Sequence, residues 1–140
     1  MAINVLICDD STVMRSMVKR ALQMTGLSIG TVEFAEHGGV ALECLEKSDF
    51  DLLLLDVNMP VLDGLSALRR IRECAATKRM AVVAVTSEGS EEKRNALRQL
   101  RASVIAKPFT AELLVDGILE AMRNYYEVEN GAGEADASRV

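Results

Sequence analysis

The sequence LLLLD at Leu52–Asp56 is the strongest structural signal in this chain of 140 residues. Four consecutive leucines without a polar break predict a strand that is buried on both faces, as in a parallel sheet covered by helices. The run ends on the carboxylate of Asp56 and continues through VNMP, residues 57–60. Because open α/β sheets bind ligands beyond the carboxyl ends of their strands, Asp56 is the first candidate functional residue.

Four further segments have the composition of strands. Ile3–Cys8 and Ala81–Val85 are continuous apolar runs, Thr31–Ala35 is interrupted by a glutamate, and Ser103–Ala106 is short. Patterns with helical spacing follow each strand. Five strands alternating with five helices predict an α/β fold, a doubly wound parallel sheet with strand order 2-1-3-4-5.

Length and composition favour one folded domain over residues 1–126, followed by an acidic, Gly/Ala-rich and disordered tail over residues 127–140. The net charge of −5 argues against general affinity for nucleic acid or anionic lipid. No apolar run approaches the ~20 residues that span a bilayer. Three cysteines in apolar or helical contexts and the lack of a signal peptide predict a cytoplasmic protein with reduced thiols.

Polar residues follow the predicted strands where these would meet at one edge of the sheet. Strands 1 and 3 are neighbours in the predicted order, so Asp9, Asp10 and Asp56 are expected to converge. Strands 4 and 5 would bring Thr86 and Lys107 to the same edge. These five residues form the candidate site.

Three converging carboxylates repel one another, by about 4 kcal/mol for each pair at 4 Å and an effective dielectric of ~20. Either some of them are protonated or a cation lies among them, and an open site with oxygen ligands suits Mg²⁺. Lys107 could pair with Asp56 or with a phosphoryl group on it, and the Thr86 hydroxyl could bind a phosphoryl oxygen. Together these groups predict phosphoryl transfer to an aspartate.

These motifs resemble the response-regulator receiver domain over residues 3–124. The matching segments are Asp9-Asp10-Ser11, Asp56-Val57-Asn58-Met59-Pro60 with Asp63-Gly64, Thr86-Ser87 and Lys107-Pro108-Phe109. Residues 10–15, with Asn58 and Glu88 each two positions beyond a site residue, are most similar to the stand-alone chemotaxis (CheY-type) members. The resemblance implies a (βα)5 flavodoxin-like receiver fold.

The resemblance also implies the chemistry of the site. Asp56 would accept a phosphoryl group from the phosphohistidine of a sensor histidine kinase. Asp10, Asp56 and the backbone carbonyl of Asn58 would ligate Mg²⁺, for which Mn²⁺ could substitute, and Asp9 would act through water. Lys107 would bind the phosphoryl group, and its bond to Pro108 would be cis. The protein would then be a switch rather than an enzyme, catalysing at most its own phosphorylation from small phosphodonors and its dephosphorylation.

The switch itself is implied in the same way. Thr86 would move to the phosphoryl oxygen and report phosphorylation to the face of helix 4, strand 5 and helix 5, where an unidentified output protein binds. Asn58 and Glu88 would flank the attacking water and tune dephosphorylation. The protein would be a monomer or a weak, phosphorylation-dependent dimer.

Two positions depart from the family pattern. Val104 stands where receivers usually carry an aromatic residue, and Leu100-Arg101-Ala102 stands where Gly-Ala commonly precedes strand 5. We therefore expect the response to pass through Thr86 and the packing around Val104.

Other interpretations remain open at this stage. They are a receiver cut from a longer regulator, a phosphorylation-independent receiver scaffold, and a phosphatase of the haloacid-dehalogenase type, whose second acid would be replaced here by Asn58. A nucleotide-binding fold is disfavoured because no Gly-rich loop follows strand 1. The methionines Met14, Met17 and Met24 are interpreted as core residues, and His37 as a turn residue without a catalytic role.

Overall fold

The predicted alternation of strands and helices builds a parallel sheet with helices on both faces. The structure is a computed structural model that describes residues 2–59, 63–87 and 90–124. The strands are β1 (Ile3–Cys8), β2 (Ile29–Ala35), β3 (Leu52–Asp56), β4 (Ala81–Thr86) and β5 (Ser103–Ala106). The helices are α1 (Thr12–Gln23), α2 (Gly38–Lys47), α3 (Gly64–Glu73), α4 (Glu91–Gln99) and α5 (residues 111–124). The strand order β2-β1-β3-β4-β5 confirms the predicted flavodoxin-like class.

β3 is the central strand, and every one of its residues is buried. Its side chains alternate between the two faces of the sheet. Leu53 and Leu55 belong to the core under α2, α3 and α4. Leu52 and Leu54 belong to the core under α1 and α5. The unbroken leucine run is therefore explained by two separate apolar cores, one on each face.

The register of the strands brings the candidate residues to one edge. Cys8 pairs with Leu55, so the residue after β1 is level with Asp56. Asp56 in turn pairs with Val85, and the next pair along β4 and β5 joins Thr86 to Ala106. The last residues of the strands, and those that follow them, thus lie side by side at the carboxyl edge.

Side chains cap the helices at the amino end. Ser11 begins α1 by accepting a hydrogen bond from the Met14 backbone N–H, and Asp63 begins α3 by accepting one from the Ser66 backbone N–H. His37 is the N-cap of α2, because its Nδ1 atom accepts hydrogen bonds from the N–H groups of Gly39 and Val40. The residue interpreted as a simple turn residue therefore has a defined structural role.

The assignment of the methionines to the core was wrong in part. Met17 is 58% exposed and Met24 is 70% exposed, whereas Met14 is half-buried. The buried residues of α1 are Val18 and Leu22. At 100° per residue Met17 lies to the side of this stripe, and Met24 is the C-cap, beyond the last helical residue.

Arg101 occupies the position where the resemblance led us to expect a glycine. Its φ angle of 63° is in the left-handed region, and it is the one non-glycine residue with positive φ in the described part of the chain. The Arg101 guanidinium donates a hydrogen bond of 2.8 Å to the carbonyl of Lys78. This bond joins the loop before β5 to the loop before β4.

Candidate functional site

Three carboxylates meet at the carboxyl edge of β1 and β3. The carboxylate oxygens of Asp9, Asp10 and Asp56 lie within 4.8 Å of one another. Asp9 and Asp56 are buried, and Asp10 is exposed. All three ligand atoms are oxygens, and one side of the group is open to water, so the donor set fits Mg²⁺.

Asp9 is fixed by contacts at its backbone and at its side chain. Its Oδ1 atom accepts a hydrogen bond of 2.9 Å from the Ser11 N–H. Its backbone N–H donates to the carbonyl of Ala35 at the end of β2. Its own carbonyl accepts a hydrogen bond of 2.7 Å from the Arg15 guanidinium. Asp9 therefore connects β1, β2 and the first turn of α1.

Lys107 bridges the two buried carboxylates. Its Nζ atom lies 3.2 Å from Asp56 Oδ1 and 3.5 Å from Asp9 Oδ2. The Lys107 backbone N–H donates to the carbonyl of Thr86, and the peptide bond to Pro108 is cis. Three carboxylates and one ammonium leave a formal charge of −2, which a divalent cation would neutralise.

The surroundings of the Asp56 carboxyl shift its pKa in opposite directions. Burial raises its pKa, and the neighbouring Asp9 carboxylate raises it further. The Asn58 N–H, 3.1 Å from Asp56 Oδ1, and the Lys107 ammonium lower the pKa and only partly offset the burial. The charged form that a nucleophile requires is therefore costly in the free protein, and an added cation would favour it.

Asn58 joins the loop after β3 to the loop after β4. Its side-chain oxygen accepts hydrogen bonds from the Thr86 hydroxyl at 3.3 Å, the Ser87 N–H at 3.0 Å and the Ser87 hydroxyl at 3.1 Å. The sequence placed both segments at this edge but did not predict this contact. The sequence did contain a signal for this contact, because Thr86-Ser87 stands at the end of the strand next to β3.

Val104 lies on the same face of the sheet as Thr86. It pairs with Ala84, and it is partly buried against the core that contains Leu97 of α4. A valine here fills space without a long side chain that could reach the edge. Glu88, Pro60 and the predicted tail over residues 127–140 lie outside the described residues.

Two further features adjoin the carboxylates. The Cys8 thiol is buried beside the site, and burial followed by the Asp56 charge raises its pKa to about 12, so it stays protonated. A cavity of about 510 Å³ opens next to Lys107 and is lined in part by Met14, Met17 and Phe109. The first helix therefore presents apolar side chains beside a charged site.

A family model described as the response regulator receiver domain matches residues 5–119. The chain belongs to this family. The match confirms the resemblance found in the sequence, and it decides against the haloacid-dehalogenase interpretation.

Relatives of known function and solved structures agree with this assignment. The chemotaxis protein CheY-3 of Vibrio cholerae is 36% identical over 124 residues, which are 84% of this chain and 92% of the relative. The chemotaxis protein CheY1 of Helicobacter pylori is 35% identical over 113 residues, 78% of this chain and 88% of the relative. The structure of the chemotaxis response regulator CheY4 of Vibrio cholerae matches with a TM-score of 0.76 and 33% identity, covering 86% of this chain and 99% of that one.

The protein is thus a CheY-like receiver domain, a response regulator of two-component signal transduction. Such domains act as switches rather than classical enzymes, bind Mg²⁺ at an acidic pocket, and interact with histidine kinases and output proteins. The carboxylate cluster of this chain has the composition of that pocket. Among the described residues, no helix is both long and apolar enough to cross a membrane.

Proposed function

We propose that Asp56 accepts a phosphoryl group from the phosphohistidine of a sensor histidine kinase. The observation that carries this proposal is the position of Lys107, whose ammonium lies 3.2 Å from the Asp56 oxygen. A cation at this distance can bind the oxygens of a phosphoryl group that approaches Asp56. The carboxylate oxygen forms a bond to phosphorus while the phosphorus–nitrogen bond breaks, and the leaving imidazole nitrogen keeps the electron pair.

Asp10, Asp56 and the backbone carbonyl of Asn58 would hold Mg²⁺, and Asp9 would contribute through water. When bound, the ion supplies positive charge that offsets the negative charge of the phosphoryl group and of the carboxylates. Mn²⁺ takes the same oxygen ligands and could substitute. Asp9 is paired with Lys107 and with the Ser11 N–H, which supports an indirect role for its carboxylate.

Thr86 would report the phosphorylated state. In the free protein its hydroxyl donates to the Asn58 side chain. A phosphoryl oxygen on Asp56 would be a charged and therefore stronger acceptor, so Thr86 would turn from Asn58 towards it. Because Val104 packs on the same face as Thr86, this movement would alter the surface formed by α4, β5 and α5, and so change the affinity for an output protein.

Asn58 and Glu88 would tune the lifetime of the phosphoryl group by their position beside the attacking water. The Asn58 amide is held by Ser87, which supports a fixed orientation at the entrance to the site. The domain would also catalyse its own phosphorylation from a small phosphodonor, releasing the carboxylate of an acyl phosphate.

We further propose a cytoplasmic protein with a receiver over residues 1–126 and a separate acidic tail over residues 127–140. Its output would be of the chemotaxis type, because the relatives CheY-3 and CheY1 are described as chemotaxis proteins. It would act as a monomer or a weak dimer that forms on phosphorylation. The same site would serve if the receiver belonged to a longer regulator.

Intact mass measurement after incubation with acetyl phosphate and Mg²⁺ tests the central proposal. We expect one labile phosphoryl adduct, which is absent without Mg²⁺ and absent in Asp56→Asn. If the wild-type protein forms no adduct and binds no Mg²⁺, the phosphoacceptor proposal is wrong, and the domain is a phosphorylation-independent scaffold. An adduct that persists in Asp56→Asn would place the phosphoacceptor elsewhere.

A further inference from the structure

The loop between β1 and α1 carries two of the three carboxylates on a very short segment. β1 ends at Cys8 and α1 begins at Thr12, so Asp9, Asp10 and Ser11 form the whole connection. The carbonyl of Asp9 and the N–H of Asp10 belong to one planar peptide unit. The orientation of that unit therefore sets the direction in which the exposed Asp10 side chain leaves the backbone.

Arg15 holds this peptide unit from the first turn of α1. Its Nη1 atom donates to the Asp9 carbonyl at 2.7 Å, and its Nη2 atom donates to the Thr12 hydroxyl at 3.1 Å. The first bond is short and charge-assisted, so it is stronger than a neutral hydrogen bond. This bond is made to the backbone carbonyl of Asp9, while the Asp9 carboxylate contacts Lys107 and the Ser11 N–H.

The ring of Phe34 provides a second support for the same guanidinium. The Arg15 Cζ atom lies 5.9 Å from the centroid of the Phe34 ring, which is within the range of a cation–π contact. Phe34 is on the edge strand β2 and is 42% exposed. An exposed aromatic ring on the edge strand thus lies against the guanidinium that binds the Asp9 carbonyl.

We propose that Arg15 is a positioning residue that orients the Asp9–Asp10 peptide for divalent-cation binding, and that Phe34 holds the Arg15 guanidinium in place. This inference rests on the proposed Mg²⁺-dependent function. Arg15 is itself a cation beside the proposed cation site, so its charge and its hydrogen bond have opposite effects on Mg²⁺ binding. Repulsion alone would make Mg²⁺ bind more tightly when Arg15 is removed, whereas loss of the positioning hydrogen bond would make it bind more weakly.

The opposite signs of these two effects allow a direct test by calorimetric titration of Mg²⁺. Arg15→Met keeps a long side chain over the ring but removes the charge and the donor. Lys19→Met is the matched control, because Lys19 Nζ lies 5.8 Å from the same ring centroid, and within the described part of the chain Lys19 makes no hydrogen bond or ion pair to the loop between β1 and α1. We expect Arg15→Met to bind Mg²⁺ about 10-fold more weakly, as is typical for residues that orient metal ligands, and Lys19→Met to bind as tightly as wild type or slightly more so.

Phe34→Leu tests the second half of the proposal without changing any charge. Loss of the cation–π contact is expected to weaken Mg²⁺ binding by about 2- to 5-fold. In the metal-free protein, the amide chemical shifts of Asp10 and Ser11 should move in Arg15→Met and stay in place in Lys19→Met. Thermal unfolding in EDTA checks that each variant is folded, and Arg15→Lys, which keeps the charge with a single donor group, is expected to be intermediate.

The outcomes separate the two proposals. If wild type binds no Mg²⁺, the proposed function fails. If wild type binds Mg²⁺ and Arg15→Met binds it equally well or more tightly, the proposed function stands and the positioning role of Arg15 is overturned. Equal losses in Arg15→Met and Lys19→Met would also overturn it, because the loss would then not depend on the hydrogen bond from Arg15 to the Asp9 carbonyl.

Discussion

Replacing Asp56 with asparagine is expected to stabilise the metal-free protein even though it removes the proposed phosphoacceptor. The Asp56 side chain is 3% exposed, and burial followed by the Asp9 charge raises its pKa. A raised pKa means that the folded state disfavours the charged carboxylate. Asparagine keeps the shape of the side chain and removes that charge.

Coulomb's law gives the size of the effect. Carboxylate oxygens at the 4.8 Å limit of this cluster repel by about 3.5 kcal/mol for each pair at an effective dielectric of about 20, and closer pairs repel more strongly. The Lys107 ammonium, 3.2 Å from Asp56, is attracted by about 5 kcal/mol on the same scale. Removing the charge relieves two repulsions and loses one attraction, which leaves about 2 kcal/mol. Solvent screens the exposed Asp10 carboxylate, which reduces this difference. The variant also avoids the desolvation cost of a buried carboxylate at position 56, which increases it.

The stabilisation should depend on pH in a defined direction. Because the pKa of Asp56 is raised in the folded protein, wild type holds that proton more tightly when folded than when unfolded. Its stability therefore falls as the pH rises from the unfolded value of about 3.9 through the higher folded value. Asp56→Asn does not lose stability in this way. The difference in the free energy of unfolding between Asp56→Asn and wild type should therefore be small at acidic pH and largest above the folded pKa of Asp56.

Urea unfolding followed by circular dichroism in EDTA measures the free energy of unfolding of both proteins across this pH range. Asp49→Asn is a control, because it removes an exposed carboxylate from the loop before β3. If Asp56→Asn is less stable than wild type at neutral pH, the attraction to Lys107 outweighs burial and repulsion, and the reasoning is refuted. A difference that does not change with pH would also contradict it.

Three further predictions follow from single contacts. Ser103 is buried, and its hydroxyl has no hydrogen-bond partner among the residues that the structure describes, so Ser103→Ala should raise the free energy of unfolding in urea by about 1 kcal/mol. Arg101→Gly should be more stable than Arg101→Ala by about 1 kcal/mol, because both lose the bond to Lys78 and only glycine relieves the positive φ; thermal unfolding of the pair checks this. Val104→Ala should leave the phosphorylation rate unchanged and weaken phosphorylation-dependent binding of the output protein by a few-fold, and unchanged binding would show that Val104 takes no part in the switch.

The sequence was sufficient to predict the sheet and the edge at which the site forms. A short apolar run bounded by polar residues, such as Leu52–Leu55, favours a strand covered on both faces, and parallel strands that end on polar residues present them at one edge. Thr86 and Lys107 could be assigned to the same edge as Asp56 for this reason. Such predictions depend on strand periodicity and topology, which are properties of the backbone.

The contacts that orient the site could not be predicted in this way. The bond from Arg15 to the Asp9 carbonyl and those from Thr86 and Ser87 to Asn58 depend on loop geometry, which no periodic pattern specifies. The prediction for Met17 was wrong because helical spacing alone does not distinguish the buried stripe of α1 from the positions beside it. Arginine itself gives no sign of the positive φ at position 101, and the available signal was the glycine that the resemblance led us to expect there.

In the metal-free protein the folded state disfavours the charged form of Asp56, and this should affect how strongly the site binds Mg²⁺. Mg²⁺ bound among the carboxylates stabilises the folded state by an amount that grows with its concentration relative to its dissociation constant. In wild type, part of that binding free energy is spent on ionising Asp56, so the observed affinity should fall as the pH drops through the raised pKa. Asp56→Asn has lost both a ligand and this proton, and its remaining Mg²⁺ affinity should change less with pH over the same range. If the site binds Mg²⁺ and a phosphoryl group as proposed, the buried and repelled Asp56 carboxylate would gain more from these ligands than a carboxylate that is already stabilised in the free protein.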